Sequence, residues 1–281
     1  MTDATPITTT NVPPDAVIAF DNVRLGFDEG EILRGLDFRV AAGETKVLIG
    51  ETGTGKTLAL KLAAGLLHPD SGAVTVLGRD LGTLSEVELF AFRRKIGFVF
   101  QEGALFDSLT VGENVAYRLR EDQLDDDEID TRVREALRFV ELENTMEKLP
   151  SELSGGMRRR VGIARALVDR PAIVLYDSPT AGLDPITSQT IMTLILRLRD
   201  SQGVTSLLAT HRLQDAFGLA NYRFDVAANR VVHDDDGGVA AKGHSEHDTR
   251  FVVLRHGATY FEGEPRALAE SSDEYLKEFL V

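Results

Sequence analysis

Gly50-Glu51-Thr52-Gly53-Thr54-Gly55-Lys56-Thr57 follows directly on the apolar run Val47-Leu48-Ile49. The spacing of Gly50, Gly55, Lys56 and Thr57 meets every requirement of a phosphate-binding loop. Glycines let successive backbone N–H groups turn inward around phosphate oxygens, and the helix that follows adds its positive N-terminal end. Lys56 then supplies a mobile charge for the β- and γ-phosphates, and the Thr57 hydroxyl suits Mg²⁺. These residues predict a nucleoside triphosphate cradle between a strand and a helix.

Three further apolar runs end in a polar residue. Phe98-Val99-Phe100 runs into Gln101, Ala172 to Tyr176 into Asp177, and Ser206 to Ala209 into Thr210-His211. Runs this short and rich in Val, Ile and Leu suit strands buried on both faces of a parallel sheet. Ligands in open α/β sheets bind at the carboxyl ends of such strands. Gly50, Gln101, Asp177 and His211 are therefore expected to converge on one crevice. A fourth feature, Leu153-Ser154-Gly155-Gly156-Met157, opens an amphipathic helix through Val161, Ile163, Ala164 and Leu167.

Taken in this order, with Ser178-Pro179-Thr180-Ala181-Gly182-Leu183-Asp184 after Asp177, the motifs resemble those of the ATP-binding cassette (ABC) ATPases over about residues 17–264. The resemblance implies a P-loop α/β fold: a mainly parallel core sheet, an antiparallel β subdomain and a helical subdomain. It implies ATP and Mg²⁺ as ligands, with Gly50 to Thr57 and Leu153 to Gly156 on the nucleotide and Thr57, Gln101 and Asp177 on the metal ion. His211, Gln101, Asp184 and the residue at 178 fall in the hydrolytic positions. Family members usually carry a glutamate at the position of Ser178, where it polarises the attacking water. A serine cannot act as a base near neutral pH, so slow hydrolysis is expected, with His211 and either Glu102 or Asp184 near the water. An aromatic residue of the β subdomain stacks on adenine in this family; Phe27 matches its place, with Phe20 and Phe38 as rivals and a core role as the alternative for Phe27.

The resemblance also implies partners. A single cassette places its signature against the nucleotide held by a second copy, so an ATP-dependent head-to-tail dimer is expected. Glu102 to Val111 and Glu113-Asn114-Val115, Asp184 to Ser188, and His211 to Asp215 look most like ATPases of bacterial lipid-trafficking importers, the Mla/Mce group. That narrower likeness implies a transmembrane permease, met by Phe106 to Val115 and adjoining helices. It also implies a lipid-binding Mce-type protein, a small accessory subunit, and a cytoplasmic location on the inner face of the cell membrane. The alternatives are another transported substrate, or a nucleotide-gated clamp that does not transport.

Composition bounds the rest. The 281 residues include no cysteine, which excludes a disulfide framework and thiol chemistry. A net charge of −14 argues against broad nucleic-acid binding. Arg158-Arg159-Arg160, the compact basic run, reads as a solvated or subunit-facing helix edge. Residues 1–16 read as a disordered tail rich in Thr and Pro. Between them and the end lie a helical subdomain at about 103–165, with a charged helix start at Asp125 to Glu128, and a polar insert at about 226–249. The insert reads as a surface loop, with His244, His247 and the neighbouring aspartates as a weak metal candidate. Residues 265–281 read as a C-terminal helical tail.

Overall fold

The structure, a computed structural model, describes residues 7–8, 16–121, 124–234 and 249–280. Strands β1 (Ile7–Thr8), β2 (Ala16–Phe27), β3 (Gly30–Ala41) and β4 (Thr45–Ile49) lead to helix α1 (Lys56–Ala63). Then come β5 (Ser71–Val76), β6 (Arg79–Asp80), α2 (Glu86–Arg93) and β7 (Ile96–Val99). The helical region is α3 (Val111–Glu121), α4 (Asp126–Phe139) and α5 (Gly155–Leu167). It is followed by β8 (Ile173–Asp177), α6 (Pro185–Gln202), β9 (Thr205–Ala209) and α7 (Leu213–Asn221). The chain closes with β10 (Tyr222–Asp225), β11 (Arg230–His233), β12 (Thr249–Arg255), β13 (Ala258–Gly263), α8 (Pro265–Ala269) and α9 (Glu274–Phe279).

The central sheet has the order β1-β13-β12-β4-β9-β8-β7. From β12 to β7 every neighbouring pair is parallel, and β13 returns antiparallel to β12. All residues of β4, β8 and β9 are buried. Alternate side chains divide between two cores, as the pleat requires. Val47, Tyr176, Leu208 and Val253 join α3 to α9 on one face, while Leu48, Leu175, Leu207 and Val252 join α1 and the second sheet on the other. That second sheet, β3-β2-β5-β6, is antiparallel throughout. The expected architecture of parallel core, antiparallel lobe and helical lobe is the one observed.

Local chemistry explains the helix starts. Asp125 caps α4 by accepting from the Asp127 amide, and Asp126, Asp127 and Glu128 fill its first turn, where the helix dipole favours negative charge. Two expectations need correction. The tail 1–16 is not wholly without structure: Ile7–Thr8 pairs in parallel with β13, and Ala16 already belongs to β2; its other residues lie outside the described ones. The insert at 226–249 begins not as an open loop but as the hairpin β10–β11, with Asp225 opposite Arg230. The Asp225 carboxylate accepts from the amides of Ala227 and Ala228, closing the turn. Residues 235–248, with His244 and His247, lie outside the described residues, and so does their metal reading. The C-terminal tail does form two short helices, anchored by the fully buried Leu268 and Leu276.

Candidate functional site

Parallel register puts the strand ends level. Val253 pairs with Ile49, Leu48 with Ala209, Ala209 with Asp177, and Tyr176 with Val99. The segments that follow (Gly50 to Lys56, Thr210-His211, Ser178 to Asp184 and Phe100-Gln101) therefore leave the same edge of the sheet, as expected. Two contacts bind them laterally: the Thr210 amide donates to the Leu48 carbonyl at 3.0 Å, and the Ser178 amide to the Ala209 carbonyl at 2.8 Å.

The phosphate-binding loop needs its glycines for space as well as for conformation. A Cβ on Gly50 would lie 2.5 Å from the Leu254 carbonyl oxygen, and one on Gly55 2.3 Å from the Leu33 side chain. Gly55 caps α1 with φ +98°, a conformation that strains other residues. Lys56 is buried, and its Nζ donates to the carbonyls of Gly50 at 2.7 Å and Glu51 at 2.6 Å. Burial lowers its pKa, opposed by Asp177 and Glu51. The Thr57 hydroxyl donates to the Asp177 carboxylate at 2.9 Å, across 120 residues of sequence. Burial raises the Asp177 pKa, while hydrogen bonds from Thr57 and Ser178 and the charges of Lys61 and Lys56 oppose it. A hydroxyl and a carboxylate oxygen this close form a hard oxygen pair of the kind Mg²⁺ takes. The donor set and the glycine cradle therefore fit a magnesium nucleotide.

Ser178 sits in the left-handed region with φ +46°. Its peptide is gripped from both sides, because Arg159 Nη1 donates to its carbonyl at 3.0 Å. The same guanidinium reaches the carbonyls of Pro179 and Ala181. Arg159 is thus no solvated edge residue: it is 5% exposed and holds the loop after β8. Arg158 and Arg160 also turn inward, to the carbonyls of Leu153 and Val140. Five residues beyond Arg160, Arg165 donates to the carbonyls of Gly103 and Ala104, both at 2.8 Å. Helix α5 therefore fastens the segment after Gln101 on one side and the Ser178 loop on the other. No charge pattern announced this, because an arginine run reads the same whether it meets water or carbonyls.

Gln101, Glu102 and His211 are exposed. His211 lies between two fixed neighbours, the buried Thr210 and Arg212, whose amide donates to Thr210 Oγ1 at 3.0 Å. Arg212 also reaches the Thr180 carbonyl and Ser188 Oγ. The signature residues open α5: Ser154 caps it by accepting from the Met157 amide, Gly155 is exposed, and Leu153 is buried. Gly156 has a packing reason, since a Cβ there would come within 2.3 Å of Thr187 Cγ2. Thr187 is itself bound by Asp184, the cap of α6, at 3.0 Å through its amide and 2.6 Å through its hydroxyl. The signature and the Asp184 loop are therefore packed neighbours.

Phe27, at the tip of the β2–β3 hairpin, is 52% exposed and lines a cavity with Gly26, Asp28, Gly30, Glu31 and Asp70. Phe20 and Phe38 are 1% and 2% exposed and stack on each other at 4.5 Å, so neither has a face to offer a ligand. Sequence reasoning missed one organising residue, Asn114, which is fully buried. Its side chain accepts from the Phe106 amide and donates to the carbonyls of Phe106, Leu109 and Thr110, setting the loop before α3.

Comparison with known proteins gives these loops their relatives. Residues 33–181 match the family described as ABC transporter. The methionine import ATP-binding protein MetN of Bifidobacterium longum is 40% identical over 229 residues, 79% of this chain and 57% of that protein. The intermembrane phospholipid transport system ATP-binding protein MlaF of Haemophilus influenzae is 36% identical over 211 residues, 74% of this chain and 80% of that protein. The chain thus spans little more than half the length of the MetN relative. Among solved structures, the dimeric ATP-binding cassette MJ0796 bound to ADP and Pi superposes with a TM-score of 0.72 at 30% identity, covering 88% of this chain and 98% of that one. A family match over more than half of the chain, together with relatives of this identity and coverage, shows that the chain belongs to the ABC transporter family.

Proposed function

We propose that the chain is the ATP-binding and hydrolysing subunit of a membrane transporter. The observation that carries this reading is the Thr57–Asp177 contact at the mouth of the glycine cradle, where a triphosphate and its metal ion would be held. Magnesium, when bound, would draw charge from the β- and γ-phosphate oxygens. Thr57 and Asp177 would hold it, with Gln101 at the adjoining strand end. Lys56 would leave its two loop carbonyls and place its ammonium on the phosphates. Phe27 would stack on adenine.

For hydrolysis, the pinned backbone at Thr210 and Arg212 holds His211 at the edge where the γ-phosphate would lie. Ser178 supplies no carboxylate. Turnover is therefore slow but real, with His211 positioning water. The exposed N-terminus of α5 suits a γ-phosphate held by a second copy, which supports an ATP-dependent head-to-tail dimer. The dimeric MJ0796 cassette is a precedent of the same fold.

A permease is the further partner. Among the described residues no helix is long and apolar enough to cross a membrane, so the pore would come from another chain. Phe106 and Tyr117, both exposed, lie with ring centroids 4.7 Å apart on the loop and helix that follow Gln101, and present an aromatic docking point. Within the Mla/Mce-like reading the cargo is a phospholipid or other lipid, the chain works on the cytoplasmic face, and a lipid-binding Mce-type protein and a small accessory subunit complete the assembly. The kinship with MlaF supports this, whereas that with MetN supports a different cargo.

One experiment tests the core of the reading. The chain is expressed with its neighbouring membrane genes, purified from detergent, and assayed for ATP hydrolysis beside Lys56→Ala. Co-purification with a multi-span protein and turnover abolished in the variant are expected. Turnover at wild-type level in Lys56→Ala, or none above background in the wild-type assembly, would overturn it.

A further inference from the structure

The C-terminal helix α9 reaches the outer side of the phosphate-binding loop. One cavity of about 390 Å³ is lined both by the loop residues Glu51, Thr52 and Thr54 and by Arg255 and Tyr275. The Arg255 guanidinium carbon lies 3.8 Å from the centre of the Tyr275 ring and 5.0 Å from that of Tyr260. The two rings meet edge to face at 5.1 Å, and Tyr260 donates to Asp273, the cap of α9, at 2.8 Å. Buried Leu276, next to Tyr275, anchors the helix. The Tyr275 hydroxyl is buried without a hydrogen-bond partner, so its ring rather than its polar end makes the contacts.

We propose that Tyr275 is a positioning residue for the phosphate-binding loop: its ring holds the Arg255 guanidinium and so keeps that charge from pairing with Glu51. This inference rests on the nucleotide reading above and adds a role for the tail. Glu51, Arg255 and Tyr275 line the same cavity, and the two charges act on the Tyr275 hydroxyl with opposite sign. A guanidinium stacked on an aromatic face is held by the ring quadrupole. Deprived of that face, Arg255 would be free to pair with Glu51, which lines the same cavity. The Glu51 carbonyl, in turn, holds Lys56 at 2.6 Å. Displacing Glu51 would disturb the lysine and the backbone N–H groups that must converge on phosphate. Coupling of this kind is reciprocal, so nucleotide binding would also fasten the tail.

The test is calorimetric titration of the full chain with ATP and Mg²⁺. Tyr275→Ala should raise the dissociation constant by roughly tenfold, within the usual range of coupling between sites. Tyr275→Phe, which keeps the ring, should match the wild type. Tyr275→Ala combined with Arg255→Ala should return to within about twofold of the wild type, because the competing cation is gone. A ring needed only for folding would not be rescued by deleting its cationic partner. Unchanged affinity in Tyr275→Ala, equal losses in Tyr275→Phe and Tyr275→Ala, or no recovery in the double variant would each overturn the proposal. Absence of ATP binding by the wild-type chain would overturn the nucleotide reading itself, and the role of Tyr275 with it.

Discussion

The loop after β4 and the loop after β8 lie at one edge of one sheet, yet they are built in opposite ways. Gly50 to Thr57 is shaped by the absence of side chains, with Leu254 and Leu33 occupying the space a Cβ would need at Gly50 and Gly55. The loop from Ser178 to Ala181 is shaped from outside, its carbonyls tied to Arg159 and its first amide to Ala209. The first carries the backbone amides, the lysine and the threonine proposed to hold a triphosphate. The second has its backbone fixed by these bonds and carries a serine where the family resemblance implies a carboxylate. Under the proposed function, binding and hydrolysis are separable, because phosphate binding would rest on backbone amides and one lysine, whereas water activation would rest on a single side chain.

The largest expected effect breaks the hydrolytic side. His211→Ala should lower kcat by at least about 100-fold with the ATP dissociation constant little changed, since general acid–base and positioning groups are worth roughly 10²–10⁴-fold. Single-turnover and binding assays separate the two; equal loss of affinity would make His211 part of the binding side. Ser178→Glu sharpens the same contrast in the other direction. It should leave turnover of the assembled transporter equal or raise it, up to about 100-fold. A slower Ser178→Glu enzyme would show that the backbone held by Arg159 has been set for serine.

A smaller effect belongs to the binding side. Phe27→Ala should raise KM for ATP about tenfold and leave kcat unchanged, since stacking of a base on an aromatic ring is worth roughly 1–3 kcal/mol. Phe27→Trp should restore it. A fall in kcat instead would separate Phe27 from the base.

The last effect is on stability without nucleotide. Asp177 has a folded-state pKa raised by burial above the ordinary 3.8, so the folded state binds its proton more readily than the unfolded one. Its contribution is full below pH 3.8 and is lost as pH rises through the raised value. Asp177→Asn should therefore unfold at a higher urea concentration than the wild type at pH 7 in the presence of a chelator. That advantage should vanish as pH falls towards 3.8. An advantage that persists in acid would assign it to packing rather than to the buried charge.

Much of this was legible beforehand for a physical reason. The strand runs were readable because strands buried on both faces must be continuously apolar, and the polar residue ending each run marks the ligand edge. The cradle was readable because its spacing serves the backbone. Arg159 was misread because a side chain's destination depends on which carbonyls the fold brings within its reach, here those of residues 178, 179 and 181. The insert was read as a loop although Asp225 carries a turn signal, because the short strands of β10 and β11 are only half apolar.

What the sequence determined by itself is the family, the order of the motifs and the serine at 178, because each is carried by residue type and spacing along the chain. Tertiary structure alone decided which phenylalanine is free to face a base, since Phe20 and Phe38 consume each other's faces in the core while Phe27 stands at a hairpin tip. It alone showed that α5 ties the Gln101 segment to the Ser178 loop. It alone brought Tyr275 to a loop more than two hundred residues earlier in the chain. Contacts between segments so distant in sequence follow from how the two cores pack on the sheet, and no local pattern encodes them.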